Sequence, residues 1–270
     1  MTASPGAGPP TSTTSTTSTT APGALLLVPA PLDLGTHAVP LDEVLPRGVL
    51  RQAAALGHWV VENARSARAF LKRVDAIVPL ARPLQALQIH ELPPPPKGRG
   101  APVPEATWQA LLAPARAGHD IGVLSEAGLP AVADPGAALI AAAHAAGIRV
   151  WPLAGPSSLT LALAASGLGG QQFAFVGYLP QDASARAARL RELDALSRRL
   201  GQTQLAIETP YRNAALFEAL LAALAPTTRL SVACGLTLPG GWVRTARVGE
   251  WRRQPPTLPD RTPAVFAFLG

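Results

Sequence analysis

The residues best placed for chemistry lie in Pro/Gly-rich turns. Foremost is Ser125-Glu126-Ala127-Gly128-Leu129-Pro130-Ala131-Val132-Ala133-Asp134-Pro135-Gly136, with two glycines, two prolines and two carboxylates in twelve residues. It follows the apolar run Ile121-Gly122-Val123-Leu124 and precedes an alanine-rich helical pattern over 137–146. A strand feeding such a turn at a helix start is where α/β proteins place ligands. Three other loops occupy equivalent positions: Pro29-Ala30-Pro31, Ala154-Gly155-Pro156-Ser157-Ser158, and Glu208-Thr209-Pro210-Tyr211-Arg212-Asn213. One such turn alone is an ordinary connection. Four at the carboxyl ends of strands would converge on one crevice. Gly and Pro let main chain approach a ligand closely, so this set suits a molecule held mainly by backbone groups.

Charged side chains stand beside two of these turns. Glu62, Arg65 and Arg68 lie on a strand end and the following helix, where a solvated helix face is the alternative to a functional one. Glu208, Tyr211 and Arg212 surround a proline at a strand end and suit a hydroxyl- or phosphate-bearing substrate. Several other chemistries lack their signatures. There is no phosphate-loop lysine motif, no GxGxxG fingerprint and no metal-ligand spacing of His and Cys, so no metal is expected. The five histidines are scattered, and neither Ser125 nor Ser157 sits in a GxSxG elbow.

The elements that must position these residues are readable from periodicity. Strands are expected at 24–28, 58–62, 121–124, 148–153, 173–176, 204–207, 229–233, 242–248 and 264–269. Helices are expected at 64–74, 104–117, 137–146, 159–165, 183–200 and 214–224. The first half alternates strand and helix as parallel sheets do, and the closely spaced strands at the end suggest antiparallel pairing. Residues 1–22, almost wholly Thr, Ser, Ala, Pro and Gly, read as a disordered tail. The stretch Leu92-Pro93-Pro94-Pro95-Pro96-Lys97-Gly98-Arg99-Gly100 reads as an exposed loop. Ser166-Gly167-Leu168-Gly169-Gly170 is the best boundary candidate, dividing 23–168 from 169–270.

Composition sets outer limits. With 270 residues the chain can fill one large core or two smaller ones. No apolar run approaches the roughly 18–20 residues of a membrane span, so a soluble protein is expected. A lone cysteine, Cys234, excludes an internal disulfide framework and makes the cytoplasm the default location; its strand-like setting suggests a buried, inert thiol. The net charge of +6 permits an anionic partner, although basic residues other than Lys72 and Lys97 are all arginine, a skew that GC-rich composition also produces.

Taken together, the loops resemble the tetrapyrrole-methylase-like class of S-adenosylmethionine (SAM)-dependent methyltransferases, and within it the branch methylating a ribose 2′-hydroxyl in small-subunit ribosomal RNA. That branch carries S-[DE]-A-G-x-P-x-x-x-D-P-G, matched at 125–136, and P-G-P-S, matched at 154–157 with Ala154 in the first place. It also carries S-G-L (166–168), F-x-G-[FY]-L-P (175–180) and E-x-P-[HY]-R (208–212). The resemblance covers 24–269. It implies an α/β fold of two domains, each a mixed sheet flanked by helices, with SAM in the cleft between them, S-adenosylhomocysteine as product, and a homodimer. Carried over by position, the cofactor would touch Pro29, Ala30, Pro31, Leu32, Ser125, Glu126, Ala127, Gly128, Pro130, Asp134, Ser157, Ser158, Glu208 and Ala233. Asp134 is expected to brace its loop and cap the helix that follows. Glu62 and Tyr211 are candidates for assisting proton loss, with Arg65 and Arg212 beside them.

The chain also departs from that branch. It has Val28-Pro29-Ala30-Pro31-Leu32 where the branch has T-P-I-G-N, Glu62-Asn63-Ala64-Arg65 for E-D-T-R, and Cys234-Gly235-Leu236-Thr237-Leu238 for R-E-L-T-K. The last change removes three charges. Three readings follow: methylation of RNA, ribose 2′-hydroxyl of small-subunit rRNA or a related site; methylation of a small tetrapyrrole-like molecule; and a SAM-binding or ribosome-associated protein without turnover. For an RNA partner, Arg65, Arg68, Arg186, Arg189, Arg191 and Arg212 are the candidate surface.

Overall fold

A computed structural model describes residues 21–33, 35, 39–94 and 102–270. The expected tail up to residue 20, and residues 95–100 of the expected proline-rich loop, lie outside them. Among the described residues, ten strands form two five-stranded sheets. The first contains β1 (Leu25–Val28), β2 (His58–Val61), β3 (Gln88–Glu91), β4 (Ile121–Leu124) and β5 (Val150–Pro152), in the order β3-β2-β4-β1-β5. All its pairings are parallel. The second contains β6 (Phe173–Tyr178), β7 (Thr203–Ile207), β8 (Arg229–Cys234), β9 (Trp242–Arg247) and β10 (Ala264–Leu269), in the order β6-β7-β10-β8-β9. Here β6 and β7 run parallel and the remaining pairs are antiparallel. The expected α/β architecture is present, with helices flanking both sheets.

In the first sheet, β1 and β4 are fully or nearly fully apolar because helices cover both faces. One layer contains α1 (Leu41–Val44), α2 (Arg47–Ala55) and α3 (Ala64–Asp75), whose buried side chains meet Leu26, Val28, Trp59 and Val61. The other holds α4 (Glu105–Leu111), α5 (Ala113–Arg116) and α6 (Ala137–Ala145) against Leu25, Val60, Ile121 and Val123. Gly122 is required by packing. A Cβ there would lie 2.6 Å from the Trp59 ring. Helix α3 starts at Asn63, whose side chain accepts from the N–H groups of Arg65 and Ser66 at 2.9 and 3.1 Å. It buries the expected stripe of Ala67, Phe70, Leu71 and Val74.

Strand β10 is the spine of the second sheet, and its alternation sorts its side chains between two layers. Phe266 and Phe268 face α8 (Ala183–Leu200), α9 (Asn213–Ala223) and α10 (Val248–Trp251), and Val265 and Ala267 face α7 (Ser158–Ser166). Trp251 seals the first layer by donating its indole N–H to the Leu230 carbonyl at 2.8 Å. Helix α7 packs on β8, β9 and β10. The chain therefore passes from one sheet to the other between β5 and α7, and the Gly-rich stretch 166–170, expected as the boundary, links α7 to β6 on the second sheet.

Most expected elements are present, several to the residue, including α8 and β10. Differences have local causes. The helix expected over 104–117 breaks at Leu112, and α5 restarts at Ala113 with Pro114 in its first turn. Strand β3 (QIHE) is too polar to read as a strand, and α2 opens after Pro46 with Gly48 inside its first turn. Val248, expected to end a strand, instead starts α10.

Candidate functional site

A cavity of about 390 Å³ opens where the two sheets present their strand ends to one another. Ala30 and Leu32 after β1, Glu62 after β2, and Glu126, Ala127 and Gly128 after β4 form one wall. Ile207, Glu208, Thr209 and Pro210 at the end of β7, Ala233 of β8, and Ala264 and Val265 at the start of β10 form the other. Because β10 runs antiparallel to its neighbours, its amino end meets their carboxyl ends, so both sheets point functional loops into one space. Asp134, Ser158, Leu161 and Tyr178 are among the other lining residues. A larger cavity of about 780 Å³ adjoins it across Ala30, Leu32, Glu126 and Ala127, and is lined by Asn63, Arg65, Ser66, Phe70 and Arg73.

The loops forming these walls are tied by main chain. Ala30 and Gly128 exchange hydrogen bonds, N–H to carbonyl, of 2.9 and 2.7 Å. Gly155 lies so close to Pro29 that a Cβ would sit 2.3 Å from that ring, which locks the first loop to the third. Ala131 and Ala133 take left-handed φ values of 66° and 64°, unusual for residues with a Cβ. Asp134 lies immediately after the second of them.

Four carboxylates line the cavity: Glu62, Glu126, Asp134 and Glu208. Glu208 is buried and fully engaged. It accepts from the Thr209 N–H at 2.9 Å and pairs with Arg212 at 3.0 Å. Glu62 accepts from the Glu126 N–H at 3.1 Å. Asp134 differs. Burial, and next the charge of Glu62, push its pKa up to about 6, against the opposing hydrogen bond from Ser125. Burial likewise raises the Tyr178 phenol, and the charges of Asp134, Glu208 and Glu62 add to the effect. The cavity is therefore a largely apolar slot whose lining includes acidic groups, suited to a ligand that joins an apolar portion to cationic groups.

Each expected site residue can now be placed. Ala30, Leu32, Glu126, Ala127, Gly128, Asp134, Ser158, Glu208 and Ala233 line the first cavity, together with Glu62. Pro31, Ser125 and Arg65 line the second, and Ser157 lines a small annex of about 140 Å³ beside Asp134. Pro29 packs on Gly155 and Pro130 is buried; both shape loops and neither lines a cavity wall. Tyr211 is 70% exposed and off the cavity lining, so its expected part in proton loss has no geometric basis. Arg212 acts through Glu208. The capping role expected for Asp134 is corrected: α6 has Gly136 at its N-cap and no side-chain cap, while Asp134 turns into the cavity. Cys234 is buried, and burial raises its thiol pKa. Among the described residues no group of three or more His, Cys, Asp or Glu could hold a metal ion, and no helix is long and apolar enough to cross a membrane.

Tyr178, Leu161, Ile207 and Val265 also line the cavity. Tyr178 was detectable, because it lies within the 175–180 motif at a strand end. The others look like ordinary core residues in sequence.

The profile of the family described as tetrapyrrole (corrin/porphyrin) methylases matches residues 63–251, most of the chain and part of each sheet. This chain belongs to that family. Among curated methylase relatives, "Ribosomal RNA small subunit methyltransferase I" of Xylella fastidiosa is 33% identical over 174 residues, covering 64% of this chain and 55% of that one. The chain spans about half the length of the curated relatives it matches. Among solved structures, the methyltransferase CobJ superposes with a TM-score of 0.55 at 19% identity, covering 91% of this chain and 93% of that one. Uroporphyrin-III C-methyl transferase from Thermus thermophilus complexed with S-adenosylhomocysteine gives 0.50 at 17%, covering 91% and 97%. These likenesses extend the methylase fold to nearly the whole chain.

Proposed function

We propose that this methylase uses SAM as methyl donor in the cavity between the sheets and transfers the methyl group to RNA, at a ribose 2′-hydroxyl of small-subunit ribosomal RNA or a related site. The observation that carries the donor assignment is the cavity's lining: small residues and main chain around an apolar slot, with four carboxylates among the lining residues. SAM joins a flat adenine to a sulfonium and an ammonium group, and the acidic groups of the lining match those charges. When bound, it supplies an electrophilic methyl group whose departure leaves a neutral thioether. Ala30, Gly128, Ala233 and Val265 would bed the flat part, and Glu62, Glu126 and Glu208 would face the cationic part. Positioning the acceptor then supplies much of the acceleration.

The RNA reading draws on the printed name of the relatives and on Arg65 in the larger, adjoining cavity. Three of the other five arginines are engaged within the protein: Arg212 pairs with Glu208, Arg189 with Glu192, and Arg186 bonds the carbonyls of Pro180 and Gln181. A small tetrapyrrole-like acceptor is the second reading, favoured by the adjoining cavity's own volume. Salt separates the two, because RNA binding weakens steeply with ionic strength and binding of a small acceptor does not. Calorimetry with S-adenosylhomocysteine tests the donor site, and absence of binding would refute it. Labelled methyl transfer from SAM into small ribosomal subunits tests the acceptor; binding without any transfer would favour a protein without turnover.

We further propose a homodimer acting in the cytoplasm. Phe173, Phe175 and Tyr178 share one face of edge strand β6, because the register shift before Gly177 restores Tyr178 to that side. Helix α7 packs on β8, β9 and β10, farther across the sheet, and all three aromatics are exposed. Light scattering should report a dimer that F173S/F175S weakens.

A further inference from the structure

The donor cavity must also receive the proton that a hydroxyl acceptor loses on methylation, and its carboxylates are unequally suited to that. Glu208 is committed to Arg212 and the Thr209 N–H. Glu62 holds the Glu126 N–H, and Glu126 itself is exposed. Asp134 lines both the donor cavity and its annex, forms no ion pair among the described residues, and has the Ser125 hydroxyl as its side-chain partner. Resting on the SAM-donor reading, we propose that Asp134 is the base of this site: its carboxylate takes the proton from the acceptor hydroxyl as the methyl group is transferred.

The step balances. The acceptor oxygen forms a bond to the methyl carbon, the carbon–sulfur bond breaks with its electron pair passing to sulfur, and the hydroxyl proton moves to an Asp134 oxygen and then to solvent. One positive charge disappears from the cavity as one carboxylate is neutralised. The groups facing Asp134 make that exchange favourable. Glu62 from the end of β2 and Glu126 and Ser125 from its own loop act on it, Tyr178 from β6 shares these surroundings, and Glu208 just after β7 lines the same cavity with its charge matched by Arg212. With the donor's cation in place, this environment tolerates an ionised Asp134. Once that charge is lost, burial and Glu62 draw a proton onto it. The free-protein pKa of about 6 places the group where a general base works best near neutral pH.

Two measurements test this, one independent of turnover. In the first, the Asp134 carboxyl is titrated by carbon NMR in the protein alone, with S-adenosylhomocysteine, and with its cationic amine analogue sinefungin. Titration near 6 alone and with the homocysteine product, moved down by the cationic analogue, supports the proposal. Titration in the ordinary aspartate range in the free protein overturns it. In the second, D134N and D134E are assayed for labelled transfer into small ribosomal subunits from pH 5 to 9. D134N should retain S-adenosylhomocysteine binding and lose about 10²–10⁴-fold in rate, together with the rise in kcat/KM for SAM through pH 6, while D134E recovers part of it. A D134N rate equal to wild type overturns the proposal but leaves the donor site standing. Failure of the wild-type protein to bind S-adenosylhomocysteine would instead overturn the donor reading.

Discussion

The two walls of the cavity handle negative charge in opposite ways. On the wall built by the second sheet, Glu208 is buried with its charge matched by Arg212 and a main-chain N–H, so it is held in place. On the first-sheet side, Asp134 is half-buried with Glu62 as neighbour and no cation paired to it among the described residues, so its charge is disfavoured. The same residue class therefore does two jobs. The paired carboxylate is part of the scaffold, and the unpaired one is a reactive group held in a state the fold does not favour.

Breaking the paired side should have the largest effect. Arg212→Ala leaves Glu208 buried without its partner and should cost about 3 kcal/mol of folding stability, measured by urea unfolding. If R212A unfolds at the wild-type urea concentration, the pair is not structural and the contrast fails. Gly155→Val tests the coupling of the loops: its side chain must displace Pro29, and S-adenosylhomocysteine affinity should fall by at least about tenfold even where the protein still folds.

The unpaired side should respond with the opposite sign. Because the folded-state pKa of Asp134 is raised, from 3.8 to about 6, its contribution to stability is intact below pH 4 and is lost as pH rises through 6. Asp134→Asn removes that penalty. It should stabilise the protein at pH 8 by on the order of 1–2 kcal/mol, allowing for partial solvent exposure, and change little at pH 4. A thermal melt series from pH 4 to 8 would show the gap opening with pH, and parallel curves would contradict it. The smallest effect belongs to Arg65→Ala, which should leave stability unchanged and reduce the salt dependence of RNA binding by about one phosphate contact.

Much of this was legible in the chain. The alternation of short apolar runs with amphipathic stretches located most strands and helices, and the four Pro/Gly turns do gather at one cavity. What was hidden depended on tertiary environment. Strand β3 carries Gln, His and Glu, which no pattern marks as a strand; parallel pairing to β2 makes it one. Asp134 precedes Pro135-Gly136 at a helix start and so has the sequence context of a cap, yet the left-handed turn at Ala133 sends it into the cavity. Tyr211 shares a motif with Glu208 and Arg212 but faces solvent, because a 3-10 turn over Pro210–Arg212 separates neighbours in sequence onto different sides.

The paired bonds between Ala30 and Gly128 bear on how such a site can change over time. They join peptide groups, so they make few demands on side chains. The loop after β1 can therefore trade residues, as Val28-Pro29-Ala30-Pro31-Leu32 has done relative to the ribosomal RNA branch, while the two walls stay clasped at the same spacing. Such a clasp lets acceptor preference drift without disturbing the seat of the methyl donor.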